Sequence, residues 1–150
     1  MRLEIDGLSV AYGRTTVLHD VTLEVPDGSL VCLMGRNGVG KTTLLKSIMG
    51  ALPVRSGKIT FMGSDIAPTR AEMRARKGIG WVPQGREVFS MMTVQENLRT
   101  GLAARSDKTK EIPERIFELF PVLKSMLQRR GGDLSGGQQQ IGRASCRERV

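Results

Sequence analysis

Residues 30–42 read Leu-Val-Cys-Leu-Met-Gly-Arg-Asn-Gly-Val-Gly-Lys-Thr, and this stretch decides the fold. Its first five residues form a continuous apolar run, which is typical of a strand buried on both faces of a parallel sheet. The residues that follow, 42–49, place apolar side chains at helical spacing, and Gly50 stands where a helix C-terminal cap belongs. The order of strand, glycine-rich loop and helix predicts an α/β fold.

The loop itself has the form Gly, four free positions, Gly, Lys, Thr. Its glycines allow backbone N–H groups to turn toward phosphate oxygens, and the helix N-terminus adds a partial positive charge. Lys41 is expected to reach the β- and γ-phosphates of a nucleotide, and the Thr42 hydroxyl to ligate Mg²⁺. The alternative is a glycine-rich turn ahead of an ordinary helix.

A second motif, Leu-Ser-Gly-Gly-Gln, occupies residues 134–138. Ser135 and Gln138 fit a capping box, so a helix should begin here. Gly136 and Gly137 leave bare N–H groups at that helix start, which predicts a second anion site. A loop of no particular function before a helix is the alternative interpretation.

Local patterns predict strands in the first part of the chain and helices in the second. Residues 3–34 alternate polar and apolar side chains between turns, which indicates an antiparallel sheet, and residues 57–62 look like another strand. From Thr93 the pattern becomes helical, because Thr93 and Glu96 form a capping box and Pro113 suits the start of a further helix.

Both motifs, in this order and at this separation, resemble the nucleotide-binding subunit of ATP-binding cassette (ABC) transporters. The resemblance covers residues 1–140. It implies a P-loop NTPase core of the ABC type, with an N-terminal antiparallel β subdomain and an inserted helical subdomain, incomplete at the C-terminus. The implied boundaries are 1–85 for the β subdomain and phosphate-loop core, 86–134 for the helical subdomain, and 134–140 for the signature motif.

In that family two subunits pair head to tail, and each ATP lies between the phosphate loop of one and the signature helix of the other. The resemblance assigns adenine stacking to Tyr12, for which a half-buried strand tyrosine is the alternative. Gln84, after the strand-like residues 78–83, is matched to a glutamine that touches Mg²⁺ and the attacking water, and so is catalytic together with Lys41. The residues implied to contact ATP in the two motifs are Gly35, Asn37, Gly38, Gly40, Lys41, Thr42, Thr43, Ser135, Gly136, Gly137 and Gln138.

Within the family, the resemblance is to the branch serving branched-chain amino acid and urea uptake. Gln84 favours urea, because amino-acid members more often carry Glu there, and branched-chain amino acids are the second candidate. The implied partners are a second ATP-binding subunit, membrane permease subunits and, indirectly, a solute-binding protein. We therefore expect a cytoplasmic protein held at the inner face of the membrane by its permease.

Composition limits the other classes of function. A chain of 150 residues with 39% apolar content has room for one domain, and no apolar run approaches the roughly 20 residues that cross a bilayer. The net charge of +8 leaves open a soluble ABC ATPase that acts on nucleic acid or the ribosome. However, the one basic cluster, Arg70, Arg74, Arg76 and Lys77, is expected to be the solvated face of a helix capped by Thr69 and Glu72, so no nucleic-acid partner is expected.

The last ten residues, 141–150, break the family pattern. They contain a glycine where a helix should continue, have almost no apolar face, and match a translated sequencing-library adapter, which re-sequencing the parent DNA would test. We expect a non-native tail that replaces the family's next strand and its general-base Glu. This chain alone should therefore be unstable and inactive, although the intact subunit would be an ATPase. A nucleotide-binding module without hydrolysis is the remaining alternative, and Cys32 is expected to pack in the core.

Overall fold

A computed structural model describes residues 2–82, 88–103, 109 and 111–139 of the chain. The chain divides into two compact units, Met1–Lys77 and Gly78–Val150. The division falls earlier than the expected end of the phosphate-loop core at residue 85, and the predicted subdomain boundaries stay predictions.

The first unit contains a four-stranded antiparallel sheet in the order β2-β1-β3-β4. Strands β1 and β2 pair with Leu3 opposite Val25 and Tyr12 opposite Thr15, so they form one long hairpin. The antiparallel sheet predicted for the N-terminal residues is confirmed. The strands are β1 (Leu3–Tyr12), β2 (Thr15–Val25), β3 (Ser56–Phe61) and β4 (Ser64–Asp65).

Helix α1, Lys41–Ile48, follows the glycine-rich loop as predicted. It ends in a Schellman motif, in which the Gly50 N–H donates to Ser47 O at 3.0 Å and the Ala51 N–H donates to Lys46 O at 2.9 Å. Gly50 has φ +75°, so it is the left-handed residue that the sequence pattern assigned to the helix end. Leu44 is buried, as are Ile66, just after β4, and the apolar residues of the sheet, which are Ile5, Leu8, Val10, Leu18, Ile59 and Phe61.

The buried parallel strand predicted for residues 30–34 is wrong for this structure. These residues form no strand, Leu30 is 99% exposed, Met34 is 83% exposed, and Cys32 is exposed rather than packed in a core. A β-strand requires backbone hydrogen bonds to an adjacent strand. Among the described residues, no strand lies beside this segment. Residues 79–82, which also look like a strand, are unpaired in the same way.

Helix α2, Ala71–Arg76, corrects two further predictions. Its N-cap is Arg70, with no side-chain capping bond, because the Thr69 hydroxyl donates instead to Ile66 O at 2.8 Å. The Thr69–Glu72 capping box is therefore absent. The basic cluster is also not wholly solvated, since Arg74 is only 1% exposed whereas Arg70, Arg76 and Lys77 are exposed.

Among the described residues of the second unit, two named α-helices and two 3₁₀ turns surround one apolar core, and residues 136–139 of the signature motif are also helical. The named elements are α3 (Val94–Leu102), α4 (Glu114–Leu119) and the 3₁₀ turns Pro121–Met126 and Gly131–Asp133. The predicted Thr93–Glu96 capping box is present in full, and Pro113 is the N-cap of α4. The core side chains are Val94, Leu98, Ile116, Leu123, Met126 and Leu134.

The buried Asn97 organises the loop before α3. Its Nδ2 donates to Phe89 O at 3.0 Å, Met92 O at 3.3 Å and Thr93 O at 2.9 Å, while its Oδ1 accepts from the Phe89 N–H at 2.8 Å. The same loop bonds to the segment before the signature, because the Gly131 N–H donates to Met92 O at 2.9 Å. None of the described helices has the length and apolar character needed to span a bilayer.

Candidate functional site

The glycine-rich loop has the backbone shape that anion binding requires. Gly35, Gly38 and Gly40 have φ of +151°, +83° and +99°, values that side-chain-bearing residues rarely adopt. A Cβ at Gly38 would meet no atom of the described residues within 4 Å, so the backbone there faces open space. The loop can therefore receive a ligand directly against its amides.

Helix α1 presents its first turn to this loop. Its N-cap, Gly40, supplies no side-chain cap, and the first i to i−4 bond runs from the Leu44 N–H to Gly40 O. The N–H groups of Lys41, Thr42 and Thr43 precede that bond and lack intrahelical acceptors. They concentrate the positive end of the helix dipole at the loop.

The side chains of this turn divide into exposed and buried groups. The Lys41 ammonium lies over the loop and donates to Gly35 O and Arg36 O, both at 2.6 Å. Thr42 is exposed, so its hydroxyl can take a ligand. Thr43 is 7% exposed, which leaves its backbone N–H as the group it can offer to a nucleotide.

The phosphate loop packs on the same hairpin that carries Tyr12. A Cβ on Gly40 would lie 2.6 Å from Leu18 Cδ2 and 3.6 Å from Val17 Cγ1, so this glycine is required for the close approach of α1 to β2. Leu18 pairs with Val10, and Tyr12 lies two residues further along β1, about 7 Å away along the strand. Tyr12 is 48% exposed, which leaves its ring available for stacking.

The signature motif lies in the second unit and has the predicted capping box. The Ser135 N–H donates to Gln138 Oε1 at 3.0 Å, and the Gln138 N–H donates to Ser135 Oγ at 3.4 Å. Ser135 and Gly137 are exposed, whereas Leu134 is 7% exposed and belongs to the apolar core. The polar end of the motif is thus held at the surface by its buried leucine.

The expected Mg²⁺ ligands are only partly described. Gln84 and the segment 140–150 lie outside the described residues. Asn37 itself lies in a turn at the exposed crest of the loop. Among the described residues, no group of three His, Cys, Asp or Glu side chains could hold a metal ion. The exposed hydroxyl of Thr42 stays the candidate ligand that the loop motif predicts.

The sequence patterns did not point to two buried polar side chains, Arg74 and Gln139. Arg74 lies in a run of basic residues that looked like a solvated helix face. Gln139 follows Gln138 directly and is 9% exposed, and its Nε2 donates to Gly131 O at 3.0 Å. Burial of these groups depends on partners distant in sequence, which helical spacing does not reveal.

The fold and the loop define a P-loop nucleotide-binding domain. Among solved structures, one described as an ATP-binding subunit of an ABC transporter superposes with a TM-score of 0.79 at 30% identity, covering 98% of this chain and 61% of that chain. The family described as ABC transporter matches residues 18–146. The chain therefore belongs to the ABC transporter family, as an ATP-binding domain.

Two relatives are similar along most of the chain. The high-affinity branched-chain amino acid transport ATP-binding protein BraG of Pseudomonas aeruginosa is 42% identical over 146 residues, which are 95% of this chain and 63% of that protein. A probable branched-chain amino acid transport ATP-binding protein, LivF of Archaeoglobus fulgidus, is 36% identical over 137 residues, 89% of this chain and 57% of that protein. This chain thus spans less than two thirds of either relative.

The family match ends at residue 146 and so includes part of the segment predicted to be a non-native tail. The identity of residues 141–150 stays a prediction.

Proposed function

We propose that this chain is part of the ATP-binding subunit of an ABC importer, which binds ATP and hydrolyses it to drive solute uptake. One observation carries the proposal: three glycines with positive φ lead into the uncapped N-terminus of α1, and Lys41 turns back over the same loop. Backbone amides, helix dipole and ammonium converge on one exposed place. That combination suits a polyphosphate.

Each side chain has a role in this proposal. The Lys41 ammonium would exchange its bonds to Gly35 O and Arg36 O for oxygens of the β- and γ-phosphates. The exposed Tyr12 ring would stack on adenine. Thr42 Oγ1 would be the Mg²⁺ ligand from this loop, and Gln84 the second, with the metal supplying charge neutralisation for the phosphates.

The test is ATP binding by the full-length protein that carries this sequence, measured by titration calorimetry. Lys41→Ala should weaken binding by on the order of 10–100-fold, because a bond between a charged donor and phosphate is worth about 1.5–3 kcal/mol. The matched control is Lys46→Ala, which removes an exposed lysine from the same helix and should leave affinity unchanged. Equal affinities of the two variants would contradict the proposal.

The proposed partners follow from the family and from the exposed signature. A second ATP-binding subunit would place its Ser135, Gly136, Gly137 and Gln138 against the nucleotide of the first, so that ATP drives head-to-tail dimerisation. A permease would hold the subunit at the inner face of the membrane, and a solute-binding protein would act through that permease. ATP-dependent dimerisation, followed by light scattering and abolished by Ser135→Arg, tests the first of these.

Two solutes remain as candidates. A branched-chain amino acid is supported by the two relatives described above, because both are named as branched-chain amino acid transport ATP-binding proteins. Urea is supported by the resemblance of the segment around Gln84. Uptake of labelled leucine and labelled urea by cells with and without the intact gene distinguishes them.

The burial of Arg74 bears on the alternative of a nucleic-acid-directed ATPase. It removes one cation from the only concentrated basic cluster in the sequence and leaves Arg70, Arg76 and Lys77 at the surface. Three exposed charges, one in a short helix and one at each of its caps, make a weak electrostatic footprint for nucleic acid. The transporter proposal is therefore preferred.

A further inference from the structure

Arg74 is a buried arginine whose guanidinium binds four backbone carbonyls. Its Nη1 donates to Ser47 O at 2.6 Å and to Ile48 O at 2.8 Å, at the C-terminal end of α1. Its Nε donates to Thr69 O at 3.0 Å, and its Nη2 donates to Ala67 O at 2.9 Å. One side chain of α2 thus joins the end of the phosphate-loop helix to the turn before α2.

The charge is suited to this place. The last carbonyls of a helix lack intrahelical donors and carry the negative end of the helix dipole, so a cation there is favourable. Burial lowers the pKa of the Arg74 guanidinium, and the nearby Asp65 carboxylate raises it. An arginine still remains charged in a protein, and its fork of donors suits several carbonyls at once.

The turn held by Arg74 belongs to the sheet. The Ile66 N–H donates to Ile59 O of β3 at 2.8 Å, and the Thr69 hydroxyl donates to Ile66 O at 2.8 Å. Strand β3 pairs in turn with β1, the strand that ends in Tyr12. Hydrogen bonds therefore connect β1, the strand that ends in Tyr12, to the C-terminal end of α1.

The other end of α1 is fixed to the same sheet by packing. Gly40 lies against Leu18 of β2 so closely that a Cβ would overlap that side chain. Helix α1 is accordingly attached at both ends, at Gly40 by contact and at Ile48 by the guanidinium. These two attachments set the position of the phosphate loop relative to Tyr12.

We infer that Arg74 is a positioning residue for ATP: it fixes the phosphate-loop helix on the sheet that carries Tyr12, so that one nucleotide fits the adenine position and the phosphate loop together. The inference rests on the proposed function. The inference applies to a ligand that contacts both Tyr12 and the phosphate loop. The affinity of a ligand that occupies the phosphate loop alone should not depend on the spacing that Arg74 fixes.

The experiment compares two ligands by titration calorimetry in the full-length protein: ATP, which spans both places, and inorganic tripolyphosphate, which lacks the adenine and ribose. Arg74→Met should lower ATP affinity by about tenfold or more and change tripolyphosphate affinity by less than about twofold. Arg74→Lys keeps the charge but has fewer donors, so its ATP affinity should be intermediate. Arg76→Met, which removes an exposed charge from the same helix, is the matched control and should match the unmodified protein.

A double variant adds a readout that general loss of stability would not produce. In a Tyr12→Ala background the adenine anchor is gone, so Arg74→Met should have little further effect on ATP affinity. Additive losses, equal losses for both ligands, or unchanged ATP affinity in both Arg74 variants would each overturn the inference. If the unmodified protein binds neither ligand, the proposed function itself fails, which is a different result. If Arg74→Met does not fold, Arg74→Lys carries the same two-ligand comparison.

Discussion

At the scale of the residue, Gly50 is constrained by both its backbone and its surroundings. Its φ of +75° disfavours any side chain, and a Cβ there would lie 2.9 Å from Arg74 Nε and 3.1 Å from Arg74 Cζ. The guanidinium would have to leave its carbonyls to make room. The left-handed turn at the end of α1 and the hydrogen bonds of Arg74 therefore both require a residue without a Cβ at position 50.

We expect Gly50→Ala to lower the free energy of unfolding by about 2–4 kcal/mol. Left-handed backbone costs alanine about 1–2 kcal/mol, and displaced bonds from a charged donor add a similar amount. The control is Gly63→Ala, with a nearly identical φ of +76° and no described atom within 4 Å of the added Cβ. Chemical denaturation measures both, and equal losses would show that the contact with Arg74 is not strained.

Arg74 also shows what a sequence pattern leaves undetermined at this scale. Arg70, Arg74 and Arg76 are chemically identical and fall on one short basic segment, yet Arg74 alone of the three is buried. The distinction comes from the carbonyls of Ser47 and Ile48, more than twenty residues earlier. The phosphate loop can be predicted without knowledge of any distant partner, because the glycines and the lysine that define it lie within eight consecutive residues, 35–42.

At the scale of the element, the predicted antiparallel strands formed where each had a neighbouring strand, and two of the three predicted capping boxes formed. The capping boxes at Thr93 and Ser135 formed, whereas the one at Thr69 failed because a carbonyl three residues earlier takes the hydroxyl. Residues 30–34 have strong strand character but lie unpaired. A cap needs only its own neighbours, and a strand needs another strand alongside.

The capping box of α3 should make stability depend on pH. The Thr93 N–H, then the Thr93 hydroxyl, and more weakly Arg99, lower the pKa of Glu96 below its ordinary value. A lowered pKa in the folded state means that the stabilisation is complete above the unfolded-state pKa, about 4.3, and is lost as the pH falls through the folded-state pKa. Glu96→Gln keeps a capping side chain without the charge.

We therefore expect the difference in unfolding temperature between the unmodified protein and Glu96→Gln to be constant from about pH 7 to pH 5.5 and to shrink toward zero below about pH 4. Thermal unfolding followed by circular dichroism measures it. A difference that stays constant down to pH 3 would mean that the ionised carboxylate contributes nothing to the cap.

At the scale of the whole molecule, the exposed apolar stretch 30–34 suggests that more of the protein covers it. Leu30 and Met34 are 99% and 83% exposed, and covering each such side chain stabilises by about 1.5–3 kcal/mol. The aligned residues of this chain cover 63% of one family relative and 57% of another. We expect residues beyond this sequence to pair with the stretch in the intact protein.

Cys32 lies in the middle of that stretch and serves as the probe. A maleimide should label Cys32 quickly in the 150-residue chain, where it is exposed, and at least about tenfold more slowly in the full-length protein. Peptide mass spectrometry separates the label on Cys32 from any on Cys146. Equal labelling rates in the two proteins would show that the stretch stays uncovered.

The burial of Leu134 links the packing of the apolar core in the second unit to the position of the signature motif. Leu134 is one of the six buried side chains of that core, in which Leu123 is fully buried, and the exposed Ser135 follows Leu134 directly. Loosening this core would also disturb the Ser135–Gln138 capping box. A screen that measures only ATP-dependent dimerisation would then classify Leu123→Ala as a loss of nucleotide binding by the signature motif. The cause would instead be a packing defect, because Leu123 is buried and cannot contact a ligand.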